Sequence, residues 1–323
     1  MNNILVTGGA GFIGSHLCEK LLDLGHEVVC LDNFNDYYDP RIKRNNIESI
    51  LTHARFQLIE GDITDLSRLQ QIFAEFKFEI VIHLAARAGV RPSILEPLLY
   101  QKVNVVGTTN LLEMAKKYEV GKFIFGSSSS VYGENKKVPF SEDDVVDYPI
   151  SPYAATKKAG ELVCFTYHHL YGLPVSCLRF FTVYGPRQRP DMAIHKFARI
   201  ISENGKIPMF GDGHSRRDYT YISDIIDGIY KSVQHCNGYH IYNLGESQTI
   251  ELGVLIELIG RHLGLEPRIE VLPTQPGDVP ITYANITKAR QEIGYNPHVN
   301  IEQGIEKFVQ WFREGVCSRR GDV

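Results

Sequence analysis

The chain has no excess of basic charge: 34 Lys and Arg stand against 38 Asp and Glu over 323 residues, for a net charge of −4. A nucleic-acid partner normally leaves a basic stripe, so none is expected, and a phosphate-bearing ligand must be met by local arginines and backbone amides. Paired cysteine is also missing. Cys18, Cys30, Cys164, Cys177, Cys236 and Cys317 are scattered without a C-x-x-C pair, and several sit in apolar runs as buried reduced thiols do. That argues against a disulfide framework or a zinc site. No apolar run approaches the roughly 18 residues of a membrane span, residues 1–7 carry no basic leader ahead of an apolar core, and no repeat or low-complexity tract occurs. A cytoplasmic globular chain with no membrane partner is expected, long enough for one large or two moderate domains.

What is present is an alternation of two textures. Short apolar runs at Ile4–Val6, Val28–Leu31, Phe56–Ile59, Ile80–Leu84, Phe123–Phe125 and Val175–Phe181 are separated by segments of helical period, such as Phe12–Leu24 ahead of Gly25 and the series Leu66, Leu69, Ile72, Phe73, Phe76. This pattern predicts βαβ units and a parallel sheet covered on both faces, over residues 1 to about 180. Beyond Gly185, prolines and glycines interrupt the pattern around one helix candidate, Met192–Glu203, and a second body begins. The chain then returns to the sheet at about 220–262, through a strand at Tyr239–Leu244 between helices at Ser223–Val233 and Thr249–Leu263. The tail, Leu265–Val323, holds a short strand, a Pro-Gly-Asp turn at 276–278, and helices near Ile286–Ile293 and Ile301–Phe312.

Thr7-Gly8-Gly9-Ala10-Gly11-Phe12-Ile13-Gly14 falls between the first strand and the first helix. At that junction Gly8 permits a tight turn, Gly11 lets a pyrophosphate approach the backbone, and Gly14 lets the helix pack closely, while the helix N-terminus offers N–H groups and a positive dipole end. Asp32, about 20 residues on at the end of the second strand, is placed to bind ribose hydroxyls and would repel a 2′-phosphate, which favours NAD over NADP. Asp62, in Gly61-Asp62-Ile63 after the third strand, reaches the adenine or caps the following helix.

Tyr153-Ala154-Ala155-Thr156-Lys157 follows Ser151-Pro152, a helix N-cap and first-turn proline, so phenol and ammonium share one helix face at i and i+4. A phenol of pKa about 10 is a poor base at neutral pH, and each unit of depression requires about 1.4 kcal/mol of preferential stabilisation of the phenolate. Lys157 and a positive nicotinamide ring can provide it. Between the two motifs, Gly126-Ser127-Ser128-Ser129-Ser130-Val131-Tyr132-Gly133 carries hydroxyls at a strand's carboxyl end, where doubly wound sheets place their chemistry. His168-His169 is a surface pair, since adjacent histidines on a helix diverge, and no metal site is expected.

These motifs, with His83-Leu84-Ala85-Ala86, Asn104-Val105-Val106-Gly107-Thr108, Arg216-Arg217-Asp218-Tyr219 and Pro276-Gly277-Asp278-Val279-Pro280, resemble in order the extended short-chain dehydrogenase/reductase family, in its nucleotide-sugar 4-epimerase branch. The resemblance implies an α/β fold, a Rossmann-type doubly wound parallel sheet at 1–180 with a smaller α/β substrate-binding domain at 181–323. It implies tightly bound, recycled NAD held by Gly8, Gly11, Phe12, Ile13, Gly14, Asp32, Asn33, Asp62, Ile63, Leu84, Ala85, Ala86, Asn104, Tyr153, Lys157 and Phe180. Tyr153 would take the sugar's O4 proton while hydride passes from C4 to NAD, and the 4-keto sugar would rotate and take hydride back on its other face. Ser128 matches the hydroxyl that bonds O4, Ser127 assists, and Lys157 also holds the nicotinamide ribose.

The same resemblance narrows the reaction. Related 4,6-dehydratases carry Asp-Glu at the two positions after that hydroxyl residue, and UDP-glucuronate decarboxylases carry a glutamate at the second. Ser129 and Ser130 stand there in this chain, which disfavours both activities. The run Arg179–Ala193, with Thr182 where galactose-type epimerases usually place asparagine, looks like the UDP-glucuronate 4-epimerases. Thr182 and Arg189 are candidates to hold a C6 carboxylate that a neutral CH2OH pocket would leave unpaired; alternatively Arg189 binds phosphate or faces solvent. Arg91 is a second anion-site candidate. Arg217 matches a phosphate-binding arginine, Gln275 stands where a second arginine is common, Asp278 falls in a motif of the substrate half, and Phe210 lines the uridine or belongs to the core. A homodimer through helices near Leu98–Tyr118 and Tyr153–Tyr171 is implied as well. The competing readings are a neutral UDP-hexose or N-acetylhexosamine 4-epimerase and a non-catalytic NAD-bound sensor.

Overall fold

In the computed structural model, which describes residues 1–273 and 279–320 with side chains to 315, the apolar runs pair into one seven-stranded parallel sheet. Its strands are β1 (Asn3–Thr7), β2 (Glu27–Asp32), β3 (Phe56–Glu60), β4 (Ile80–His83), β5 (Lys122–Ser128), β6 (Val175–Phe180) and β7 (Tyr239–Leu244). The spatial order is β7-β6-β5-β4-β1-β2-β3. The strand order therefore reverses between β1 and β4, and the crevice at their carboxyl ends is where such sheets bind ligands.

Side-chain alternation explains why the strands are apolar on both faces over most of their length. Ile4, Val6, Val28, Cys30, Ile80, Ile82, Ile124 and Leu178 point to one face, and Leu5, Val29, Leu31, Val81, Phe123, Phe125, Val175 and Cys177 to the other. Both faces are buried, which is why these strands read as near-continuous apolar runs. The first face is covered by α1 (Phe12–Asp23), through Leu17, Cys18, Leu21 and Leu22, and by the helix Ile222–Gln234. The second is covered by α2 (Leu66–Phe76), α3 (Thr108–Lys117) and α4 (Pro152–Tyr171). A π-helical stretch, Gln101–Gly107, leads into α3, a feature that apolar periodicity does not signal.

After β6 the chain builds a second layer of structure. Thr182–Tyr184 pairs with Tyr219–Tyr221, Lys206–Phe210 with Arg268–Leu272, and Arg216–Arg217 antiparallel with Ile250–Glu251. The helices Ala193–Ser202, Leu252–Leu263 and Ile301–Arg320 pack Ile194, Ile201, Ile256, Ile259 and Phe308 into the same core that covers the first sheet face. That shared core fixes the second layer against the sheet and leaves a cleft between them. Among the described residues no helix is long and apolar enough to cross a membrane. The expected turn at 276–278 lies outside the described residues.

Candidate active site

The cleft has a volume of about 470 Å³, a size suited to small-molecule ligands, and runs over the carboxyl ends of β1, β2, β4, β5 and β6. Its floor is the glycine turn. Gly8 sits at φ +69°, a left-handed conformation that glycine accepts freely, and a Cβ there would stand 2.8 Å from the backbone nitrogen of Ala85. A Cβ on Gly14 would stand 2.2 Å from the Gly8 carbonyl oxygen, so glycine is required for α1 to rest on the turn. Gly11 precedes α1 in extended conformation with no capping side chain, and no acidic residue occupies the first helical turn. The N–H groups of Phe12, Ile13 and Gly14 thus have no acceptor among the described residues, which makes the helix end an anion site.

Around this floor stand the groups expected to meet a dinucleotide. The Asp32 carboxylate accepts from Ala10 N–H at 3.2 Å and Phe34 N–H at 2.9 Å, leaving lone pairs for hydroxyl donors. Burial pushes its pKa up, against the pull of Lys43 at 3.9 Å and the two amides. Asn33 donates to Asp62 at 2.8 Å, and Asp62 also accepts from the backbone and hydroxyl of Thr64. Asp62 is not the helix cap; Asp65 accepts from Arg68 N–H and caps α2. Leu84, Ala85, Ala86, Ile63 and Phe180 line the same walls. Asn104, expected among the cofactor's residues, is 2% exposed and bonds both the N–H and the carbonyl of Arg87 and the Thr156 hydroxyl. It braces the loop after β4 and has little left for a ligand.

The reacting groups converge at the end of β5. Ser151 caps α4 by accepting Ala154 N–H at 3.1 Å, with Pro152 in the first turn, and this helix presents Tyr153 and Lys157 to the cleft. Tyr153 and Ser128 line the same wall, and the Ser128 hydroxyl donates to that of Ser130 at 3.1 Å. Burial holds the phenol above its ordinary pKa, while the neighbouring Ser128 hydroxyl and the Arg189 charge pull it down. The Lys157 ammonium donates to the carbonyl of Gly126 at 2.6 Å. Lys157 itself is 5% exposed, and burial lowers it to about 8. Ser127 lines the cleft, but its hydroxyl donates to Glu161 at 2.6 Å, so toward a ligand it can act only as an acceptor.

Sequence reasoning missed the support beneath these serines. Glu161 and Arg179, each 1% exposed, form a two-pronged ion pair at 2.9 Å, and Arg179 donates on to Tyr132, which donates to Asn243. The signal was available, since an arginine inside an apolar strand must find a buried carboxylate.

On the sugar side, Thr182 and Arg189 both line the cleft. Arg189 pairs with Asp191 through Nε at 3.0 Å and Nη2 at 2.8 Å. Tyr37, Tyr38, Lys43 and Arg87 line it too and had not been expected; Tyr37, Tyr38 and Arg87 come from loops whose course no local pattern reveals, and Lys43 from the short helix Pro40–Ile47 that follows the first of them. Arg91 lies over the ring of Phe210 at 5.0 Å, and neither belongs to this cleft. Arg217 donates to the carbonyl of Arg216 at 2.9 Å, likewise outside it. Gln275 and Asp278 lie outside the described residues. No cluster of three metal-ligating side chains occurs among the described residues.

Comparison with known proteins agrees with this geometry. The family described as GDP-mannose 4,6-dehydratase matches residues 5–308. A UDP-glucuronate 4-epimerase of Thermodesulfobacterium geofontis is 44% identical over 317 residues, covering 98% of each chain. Among solved structures, a UDP-glucuronic acid 4-epimerase of Bacillus cereus in complex with UDP-glucuronic acid and NAD superposes with a TM-score of 0.91 at 37% identity, covering 97% of this chain and 99% of that one. A UDP-glucose 4-epimerase of Thermotoga maritima with UDP-glucose gives 0.89 at 34% identity, with the same coverage. A Rossmann-type sheet with the glycine turn, Asp32 and the Tyr153/Lys157 helix around one cleft has its explanation in this kinship: the chain belongs to the GDP-mannose 4,6-dehydratase family of extended short-chain dehydrogenase/reductases.

Proposed function

We propose that this chain is an NAD-dependent UDP-sugar 4-epimerase that interconverts UDP-glucuronate and UDP-galacturonate. The observation that carries the reading is that Arg189 and Thr182 share one cleft with Tyr153, Ser128 and the glycine turn. Residues 1–180 would carry the cofactor and residues 181–323 mainly the UDP-sugar. NAD fits the donor set of its half: unclaimed helix N–H groups, a turn with no room for a Cβ, and the Asp32 carboxylate. When bound, NAD supplies a hydride acceptor at the sugar's C4 and returns the hydride to either face.

The protein's part is acid–base work and positioning. Tyr153 takes the O4 proton as the alcohol becomes a ketone and gives it back after the sugar has turned. Ser128, which lines the cleft beside Tyr153, holds O4 in reach of the phenol. Arg189 lowers the phenol's pKa and also meets the C6 carboxylate, so the recognition of a uronic acid and the activation of the base involve one guanidinium. Ser129 and Ser130 supply no carboxyl group for elimination or decarboxylation.

Turnover of UDP-glucuronate should exceed that of UDP-glucose by about 100-fold in kcat/KM, since a neutral CH2OH forgoes the charge-assisted hydrogen bonds that a carboxylate makes with the guanidinium. Better turnover of the neutral sugar would overturn the substrate assignment. Tyr153→Phe should abolish epimerisation while NAD stays bound; retained turnover would remove Tyr153 as the base. The exposed apolar side chains Leu98 and Val106 near α3, with Leu162, Phe165 and Leu170 on α4, support a homodimer built on these helices, in a protein we place in the cytoplasm. A single-chain mass in solution would refute that association.

A further inference from the structure

Arg189 is a difficult group to keep in place. Its side chain is only 20% exposed, and Lys43 and Arg87 approach the same wall closely enough that both Arg87 and Arg189 disfavour the charge on Lys43. The Tyr37 ring lies 5.4 Å from the Arg189 guanidinium and 5.9 Å from that of Arg87, so two cations flank one aromatic face. Left to these neighbours, the guanidinium would swing toward solvent. Asp191 opposes this. It takes Nε and Nη2 in a side-on, two-pronged pair, while Nη1 makes no hydrogen bond among the described residues. Arg189 lines the cleft and Asp191 does not, so the carboxylate holds the guanidinium from behind.

We propose that Asp191 is a specificity-determining positioning residue, which fixes Arg189 so that its remaining N–H groups serve the C6 carboxylate of the sugar. This rests on the uronate reading above. The physical basis is preorganisation: an arginine already clamped along one edge loses little side-chain freedom when a second carboxylate binds. A neutral sugar gains nothing from the clamp, since Arg189 is already paired in its absence. The clamp therefore adds to the affinity for the acid without adding to that for its neutral counterpart, which is what specificity requires.

The test compares the NAD-loaded wild type with Asp191→Ala and Asp191→Asn, using UDP-glucuronate, UDP-glucose and UDP as ligands. Asp191→Ala should raise KM for UDP-glucuronate about tenfold, while the affinities for UDP-glucose and UDP stay within about twofold, as loss of orientation at the C6 carboxylate predicts. Asp191→Asn keeps one acceptor for the guanidinium and should fall between Asp191→Ala and wild type. An unchanged or lowered KM for UDP-glucuronate in Asp191→Ala would overturn the assignment. Equal weakening of UDP and UDP-glucuronate would also overturn it, by showing a merely structural role. Wild-type enzyme that leaves UDP-glucuronate untouched would overturn the functional reading and this assignment together, whereas active wild type with an unchanged variant overturns this assignment alone.

Discussion

Replacing Lys157 by methionine should make stability respond differently to pH, by an amount the structure sets. The ammonium is 5% exposed on α4, and burial lowers its pKa from 10.5 to about 8, against the smaller pull of Cys164 and Glu161 in the other direction. Between these two values the unfolded chain keeps a proton that the folded protein has released, so wild-type stability rises with pH through the window. Below pH 8 both states are protonated and the whole cost of burying the charge, about 3 kcal/mol, is present. Lys157→Met has no such term. The stability of the variant relative to wild type should therefore fall by about 2 kcal/mol between pH 7 and pH 9.5, other titrating groups cancelling in the comparison. Urea unfolding of both NAD-free proteins, followed by circular dichroism and by tryptophan fluorescence, measures the difference. A gap constant to within about 0.5 kcal/mol across that range would show that the buried ammonium has an ordinary pKa, and the reasoning would fail. The same variant should lose turnover, so a residue costly to the fold would be one retained for the site.

Two more outcomes follow from packing. Glu161→Gln strips the partner from a guanidinium that is 1% exposed and should destabilise the fold by about 3–5 kcal/mol in chemical denaturation. The double change Glu161→Met with Arg179→Met should recover most of that, and a double variant as unstable as the single one would contradict the unpaired-charge explanation. Gly14→Ala places a methyl 2.2 Å from the Gly8 carbonyl and should lower stability by about 1–3 kcal/mol and NAD content per chain along with it; full NAD occupancy at wild-type melting temperature would refute the close-packing role of the glycine.

The sheet was legible because its strands are buried on both faces and so read as unbroken apolar runs between helical segments. The strand at Tyr239–Leu244 could be read even after the long excursion that precedes it. The π-helical Gln101–Gly107 was not, since its hydrogen-bond slip leaves the apolar spacing nearly intact. Of the groups around the cleft, those on the glycine turn, at strand ends and on α4 could be named beforehand because strand-turn-helix junctions have strict local requirements. Tyr37, Tyr38 and Arg87 could not, for their place depends on which way irregular loops fold over the sheet, nor could Lys43, whose short helix is carried by the loop before it.

By itself the sequence determined the parallel sheet of alternating strands and helices, the glycine turn and the pairing of Tyr153 with Lys157 along one helix face. All of these follow from short-range sterics and from the periodicity of burial. Only the tertiary structure decided how the charges are shared. Lys157 donates to the carbonyl of Gly126, Ser127 gives its proton to Glu161, and Arg189 stands against Asp191. These partners lie on different elements or depend on the course of a loop, and a charge removed from water takes whichever partner packing brings within a few ångströms.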